Sequence, residues 1–93
     1  MLYILNKTTQ ESVKQLGVLS ASDDEKVLLL ISDGVFLANE AQIARFDAMG
    51  IEEVFAAEDS VKARDFAIAP AVEVVDFDEM AGLFEEHDKV VML

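Results

Sequence analysis

The chain of 93 residues contains no cysteine and no tryptophan, only one proline, and four glycines. Without cysteine it cannot form a disulfide, hold zinc through thiolates or perform thiol chemistry on its own. No apolar run is longer than five residues, as at residues 27–31, far short of the roughly 20 that cross a membrane. No basic segment precedes a long apolar stretch, so we expect no secretory signal and a cytoplasmic protein that does not bind membranes.

Basic residues are also scarce. Seven Lys and Arg face 19 Asp and Glu, for a net charge of −12, and residues 49–93 alone carry −9. Proteins bind phosphate backbones largely through clusters of Lys and Arg, and the sequence has none, which disfavours direct nucleic-acid binding. The acidity fits a solvated surface, adaptation to high salt, or a basic partner that docks on the acidic half.

The length predicts one domain over residues 1–93, and an apolar share of 53% is enough for a packed core. Hydrophobic patterning predicts strands alternating with helices, which indicates an α/β fold. We expect a three-layer α/β/α sandwich with a five-stranded, mainly parallel sheet and helices on both faces. The predicted strands are 2–5, 26–32, 53–57, 72–75 and 89–93, and the predicted helices are 8–16, 35–49, 58–66 and 76–88.

Several residues predict where the helices begin and end. Thr8 and Glu11 have the spacing of a capping box, as do Asp76 and Glu79, and Asp59 is a candidate cap for the third helix. Gly17 is predicted to end the first helix, and Gly50 to end the second in the left-handed conformation. In the second helix, a stripe of small apolar residues is predicted to pack on the sheet: Leu37, Ala41, Ala44 and Ala48.

The last predicted strand, 89–93, carries four apolar residues and one lysine. Strands at a chain end often lie at a sheet edge, and an uncovered apolar edge is an aggregation hazard. We therefore expect another subunit, or a second copy, to cover this end of the molecule.

Ligand sites of parallel sheets lie beyond the carboxyl ends of the strands. Asp33 and Gly34 follow the second strand directly, where the aspartate can cap a helix, the glycine can allow a sharp turn, or both can form the lip of a pocket or interface. Lys62 and Arg64 could hold an anion or a partner's carboxylates, or pair with acidic neighbours within the chain.

Other candidate chemistries are weakly supported. Gly34 and Gly50 stand alone, so no phosphate-binding loop or dinucleotide fingerprint is present. A phosphate-accepting receiver domain has an acidic pair after its first strand. This sequence has Asn6 and Lys7 there, so it matches that class poorly. His87 is interpreted as a surface residue at a helix end, and the acidic residues near Asp76 as caps and not as metal ligands. We expect no cofactor, no metal site and no self-sufficient enzyme.

Four segments together resemble the TusB/DsrH family in order and spacing. They are MLYILNK at 1–7, residues 27–35 ending in SDGV, KAR at 62–64, and FEEHDKV at 84–90. The resemblance implies the DsrEFH-type α/β/α fold and a subunit of a sulfur-relay complex beside TusC/DsrF-like and TusD/DsrE-like proteins. Such complexes pass persulfide sulfur toward 2-thiouridine at the tRNA wobble position, or serve sulfur oxidation.

The chain departs from some family members at one position. Those members hold a cysteine in or near the first helix, where this sequence has Gln15, Leu16, Gly17 and Val18. No side chain here can bear a persulfide, because a methionine thioether forms none. We therefore expect a non-catalytic subunit, with Asp33, Gly34, Lys62 and Arg64 as interface or pocket residues. The alternative is a free-standing homodimeric binding module with the same fold.

Overall fold

The computed structural model describes residues 1–51 and 53–93. Five strands alternate with four α-helices, and a 3₁₀ helix at Ser32–Leu37 follows the second strand. The strands are β1 Leu2–Leu5, β2 Val27–Leu30, β3 Glu53–Ala57, β4 Glu73–Val75 and β5 Val90–Met92. The α-helices are α1 Gln10–Ser20, α2 Glu40–Ala48, α3 Glu58–Arg64 and α4 Phe77–Glu86.

The strands form one sheet in the order β4-β3-β2-β1-β5, and every neighbouring pair is parallel. The predicted five-stranded α/β fold is therefore confirmed. Its two edges are β4 and β5, so the last strand lies at a sheet edge as predicted.

The strand order distributes the helices unequally over the two faces. From β1 to β4 the chain steps one strand at a time in one direction, so right-handed crossovers put α1, α2 and α3 on one face. The return from β4 to β5 crosses the whole sheet in the opposite direction and puts α4 alone on the other face.

Two apolar clusters match these two faces. The larger one joins strand residues such as Tyr3 and Leu28 to α1 and α2 through Leu16 and Phe46. The smaller one joins alternate strand residues to Leu83 of α4: Leu2, Ile4, Val27, Leu29 and Val75. β1 and β2 are buried at every position, because helices cover both of their faces.

Helix α1 differs from its prediction at both ends. Its N-cap is Thr9, whose hydroxyl accepts from the Ser12 N–H at 3.2 Å, so the predicted Thr8–Glu11 capping box is wrong. The helix also continues through Gly17 to Ser20. A Cβ atom at Gly17 would lie 3.6 Å from the Met49 side chain, an ordinary contact, so this glycine meets no obstacle that would end the helix.

The predicted helix 35–49 is divided in two. The 3₁₀ helix ends at Leu37, and Asn39 then caps α2 by accepting from the Gln42 N–H at 3.0 Å. Gly50 follows α2 with φ +86°, the left-handed conformation that was predicted for it.

The predicted stripe of small residues on this segment is wrong beyond Leu37. Ala41, Ala44 and Ala48 are exposed, and α2 buries Phe46 and packs Ile43 and Met49 against the core. The helix is interrupted between Leu37 and α2, so Leu37 does not share a helix face with the three alanines. The larger Phe46 and Ile43 side chains also gain more free energy from burial than alanine does.

The last two helices begin in different ways. The N-cap position of α3 is Ala57, which has no side chain that could accept a hydrogen bond, so Asp59 is not the cap. In α4 the predicted capping box is present: Asp76 accepts from the Glu79 N–H at 2.9 Å, and Glu79 accepts from the Asp76 N–H at 3.1 Å. No helix of the described residues is long and apolar enough to cross a membrane.

Candidate functional site

The carboxyl edge of the sheet is where the topology places a candidate site. The chain leaves β1 for β2 on one side, whereas β5 arrives on the other side of β1. Ligand sites of α/β sheets lie beyond the carboxyl ends of the strands where the strand order reverses. At this edge a loop follows β1 from Asn6, the chain turns after β2 at Ile31, and β3 passes directly into α3 at Glu58.

Two of the four predicted site residues meet at this edge. The Arg64 guanidinium, at the end of α3, contacts Asp33 Oδ1 through both Nε and Nη2 at 3.0 Å. Arg64 Nη1 also donates to the Ser60 carbonyl at 3.2 Å. The Arg64 side chain is 24% exposed and that of Asp33 68% exposed, so the pair faces solvent mainly through its carboxylate. Asp33 does not cap the 3₁₀ helix that follows β2, because no side chain caps that helix. Its role in the structure is that of an ion-pair partner of Arg64.

A second contact ties α3 to the same loop. Ser32 has a positive φ of 49°, an uncommon conformation for a residue with a side chain, and its N–H donates to Ser60 Oγ at 2.9 Å. Ser60 and Arg64 thus hold both residues that follow Ile31. Sequence reasoning missed Ser60, since nothing in its local sequence indicates a partner 28 positions away.

Gly34 lies beneath this loop and is buried. A Cβ atom there would lie 2.1 Å from the carbonyl oxygen of Leu5, at the end of β1. The glycine therefore serves close approach between two backbone segments.

Lys62 is the fourth predicted site residue, and it pairs elsewhere. Its Nζ contacts Glu58 Oε1 at 3.3 Å, one turn earlier on α3, and both side chains are well exposed. Pairing inside the chain was one of the two alternatives for Lys62 and Arg64, and both residues have such a partner.

Asn6 stands at the end of β1 with its Oδ1 atom buried and without a hydrogen-bond partner among the described residues. An unpartnered buried acceptor is unusual in folded proteins.

A polar network at the opposite edge was not predicted from the sequence. The Tyr3 hydroxyl donates to Asp23 Oδ2 at 3.1 Å, and the N-terminal ammonium lies 3.5 Å from the same oxygen. Burial raises the pKa of the Tyr3 phenol, and the hydrogen bond to Asp23 and its charge raise it further. Burial alone would raise the pKa of Asp23, but hydrogen bonds from Glu25 N–H and Tyr3, with the ammonium, hold it below the ordinary 3.8.

His87 lines a cavity of about 530 Å³ at this amino edge, together with Lys26 and several acidic residues: Asp24, Glu25, Glu53 and Glu86. Among the described residues, no group of three or more His, Asp and Glu is arranged to hold a metal ion. His87, which the sequence analysis had already singled out, is the one histidine that lines this cavity.

Exposed apolar side chains form two further features. On α1, Val18 is 76% exposed and its neighbour Leu19 is 53% exposed. On α4 and β5, four large apolar residues are exposed: Phe77, Phe84, Val90 and Met92.

Comparison with known proteins gives one family and a shared fold. The family model described as "DsrH like protein" matches residues 8–90. No curated protein matches the chain by sequence. Among solved structures, the crystal structure of ychN protein from E. coli has a TM-score of 0.74 at 16% identity. That alignment covers 99% of this chain and 97% of the other, and at this identity it shows the fold alone.

Proposed function

The chain belongs to the DsrH-like family, and from this premise we propose that it is a non-catalytic subunit of a sulfur-relay complex. In this proposal it assembles with cysteine-bearing partners that resemble TusC/DsrF and TusD/DsrE proteins. The relay delivers persulfide sulfur toward 2-thiouridine at the tRNA wobble position.

The absence of cysteine from the chain is the observation that carries the non-catalytic role. A sulfur carrier accepts sulfane sulfur on a thiolate, and the thioether of methionine cannot replace it. An exposed valine at position 18, on α1, offers no nucleophile to a donor. The chain therefore contributes surface and shape to the relay, while thiols on other subunits carry the sulfur.

The charge of the chain bears on how such a complex would meet tRNA. With −12 overall and no basic cluster, this subunit repels a phosphate backbone. Contact with tRNA then falls to the partner subunits. An acidic subunit can still favour assembly, because it attracts partners whose contact surfaces are basic.

The segment 31–34 after β2, which we call the carboxyl-edge loop, is the candidate contact with a partner subunit. Asp33 presents an exposed carboxylate that Arg64 holds in place, and Ser60 fixes the backbone beneath it. A carboxylate held by its own arginine needs little ordering on binding, so it suits a contact with a partner's donor groups.

Reconstitution tests the proposal directly. The chain is co-expressed with the two small cysteine-bearing α/β proteins encoded nearest to it, and persulfide transfer from a cysteine desulfurase is followed by intact mass. We expect the three proteins to co-purify, and the partners to gain one sulfur atom that reductant removes. This chain should keep its mass.

Val18→Cys provides a matched control for the mass measurement, since it adds one exposed thiol on the same helix. That variant should gain sulfur under conditions in which the natural chain does not. A reductant-sensitive sulfur on the natural chain would contradict the non-catalytic role. A stable homodimer that ignores both partners would favour the free-standing binding module instead.

A further inference from the structure

The side of the molecule that carries α4 exposes several large apolar side chains that no other part of the described chain covers. Phe77 and Phe84 are seven positions apart on α4, so they share one face of the helix. Phe77 is 76% exposed and Phe84 is 43% exposed. Aromatic side chains of this size rank among the strongest contributors to protein interfaces when they become buried.

Strand β5 adds two more apolar side chains on the same side of the sheet. Val90 and Met92 stand beside Leu2 and Ile4 in the parallel register. Leu2 and Ile4 belong to the apolar cluster that Leu83 of α4 covers, so Val90 and Met92 point to the α4 side as well. Met92 is 59% exposed and Val90 is 43% exposed. We call these four residues, Phe77, Phe84, Val90 and Met92, the α4-side surface.

The backbone of β5 is open along its outer edge. Its flanking residues bond to β1: Leu2 N–H donates to the Lys89 carbonyl at 3.1 Å, and Leu93 N–H donates to the Ile4 carbonyl at 2.9 Å. In a parallel ladder alternate residues face the neighbouring strand, so the N–H and C=O groups of Val90 and Met92 face outward. An open edge of this kind can pair with a strand of another chain.

The charges around this surface indicate what that chain must be like. Helix α4 carries four acidic residues and no basic one, and it lies in the half of the chain with net charge −9. A second copy would place one acidic helix against another. A different chain with Lys and Arg around an apolar centre would meet opposite charge at the rim and apolar side chains in the middle.

We propose that the α4-side surface docks a different protein chain, one that pairs an apolar edge strand with β5 and surrounds it with basic residues. The inference deepens the proposed function, on which it rests for the identity of the natural partner, whereas the chemistry of the partner follows from this surface. Phe77 and Phe84 supply the apolar contact, the outer edge of β5 supplies backbone pairing, and the acidic residues of α4 select a cationic rim.

The test uses the full chain and a defined probe, a short synthetic peptide of alternating leucine and lysine. Such a peptide has the chemistry of an apolar strand with a basic face, and the matched peptide of alternating leucine and glutamate is its control. Binding is measured by titration and mapped by amide chemical shifts on the isotope-labelled chain. We expect the leucine–lysine peptide to bind with shifts concentrated in residues 77–92, and the leucine–glutamate peptide not to bind.

Variants separate this surface from a general attraction to acidic protein. Phe77→Ser with Phe84→Ser should weaken peptide binding about tenfold or more, roughly 1.4 kcal/mol per decade. The control is Val18→Ser with Leu19→Ser, which removes apolar groups of similar exposure from α1. The control should bind as the natural chain does. Unchanged thermal midpoints in both variants establish that the fold is intact.

Three outcomes would overturn the inference. These are shifts spread over all acidic residues, equal losses in the two double variants, or concentration-dependent shifts in residues 77–92 without peptide, which would mean that a second copy is the occupant. The same two double variants are then compared for co-purification with the candidate relay subunits. If the peptide maps to the α4-side surface but no relay subunit co-purifies, the docking surface stands and the proposed function fails.

Discussion

Gly34 lies against the backbone of Leu5, so close that a Cβ atom on Gly34 would sit 2.1 Å from the Leu5 carbonyl oxygen. The contact presses the start of the 3₁₀ helix onto the end of β1. A flexible side chain could move aside, but a strand carbonyl held in the sheet cannot. Glycine is thus the residue that lets the β2 loop, with Asp33 on it, lie over the carboxyl end of β1.

Replacing this glycine should therefore be costly. We expect Gly34→Ala to lower the free energy of unfolding by about 2–4 kcal/mol, because either β1 or the loop must shift to make room. Gly82→Ala is the matched control, since nothing lies within 4 Å of its Cβ position in the interior of α4. That change should stabilise by about 0.5–1 kcal/mol. Urea unfolding of both variants measures the difference, and equal stability of the two would mean that the close approach is absent.

The face by which α2 packs gives a second prediction. Phe46 is fully buried, so Phe46→Ala should cost about 3–5 kcal/mol. Ala44 is exposed, so Ala44→Phe should change stability by less than about 0.5 kcal/mol. Thermal unfolding separates the two assignments, because a helix packed through the alanine stripe would lose stability on Ala44→Phe.

That stripe shows the limit of periodicity as a guide. Ala41, Ala44 and Ala48 share a helix face with Leu37 only if the helix is continuous from 37 to 48. Asn39 interrupts it by capping α2, and the cap is visible only once the hydrogen bond from Gln42 is known. Asn is a common cap residue, but at this position it also fits an ordinary polar place on a helix.

The fold itself was predictable because its signals are local. Strands β1 and β2 are short, continuous apolar runs, and such runs are typical of strands covered on both faces. Gly50 and the pair Asp76–Glu79 mark helix ends through contacts within a few residues. Once the order of strands and helices is known, right-handed crossovers leave few arrangements of the sheet.

The carboxyl-edge loop could be predicted only as a set of residues. Asp33 and Arg64 were both singled out, but their contact joins positions 31 apart, and no local pattern encodes it. The sequence left Asp33 as a helix cap or as the lip of a pocket or interface, and Arg64 as a residue that holds an anion or a partner's carboxylates or pairs with acidic neighbours in the chain. Only the packing of α3 beside the β2 loop decides between them.

The Asp33–Arg64 pair itself should contribute little to stability. Asp33 is largely exposed, so solvent screens the attraction and a double-mutant cycle with Asp33→Ala and Arg64→Ala should give a coupling of about 0.2–1 kcal/mol. Raising the salt concentration should reduce it further. A coupling of several kcal/mol would contradict a surface pair, and would mean that the loop depends on this contact for its fold.

Asp23 should make stability depend on pH at the acid end. Its pKa is lower in the folded chain than its ordinary 3.8, so the folded state binds its proton less readily than the unfolded state. The resulting stabilisation is complete above about pH 4–5 and is lost as the pH falls through the folded pKa. The difference in urea midpoint between the natural chain and Asp23→Asn should therefore shrink as the pH drops below 3.8. Taking the difference removes the effect of the other carboxylates, and a gap that stays constant would refute the role of the charge.

Val91 and Met92, at the end of β5, should respond differently to replacement by lysine, because their side chains lie on opposite faces of the strand. Val91 packs against the larger apolar cluster, whereas Met92 is exposed on the α4 side. Val91→Lys should cost about 1–3 kcal/mol, since it puts a charge among apolar groups. Met92→Lys should leave the unfolding free energy within about 0.5 kcal/mol, because its ammonium group reaches water.

The same Met92→Lys substitution should weaken docking of a basic chain, since it removes an apolar contact and adds a like charge to the edge. Chemical denaturation measures the first pair of effects and titration with the leucine–lysine peptide measures the last. If Met92→Lys unfolds more easily than Val91→Lys, the faces of β5 are reversed, and the exposed edge cannot be the docking surface.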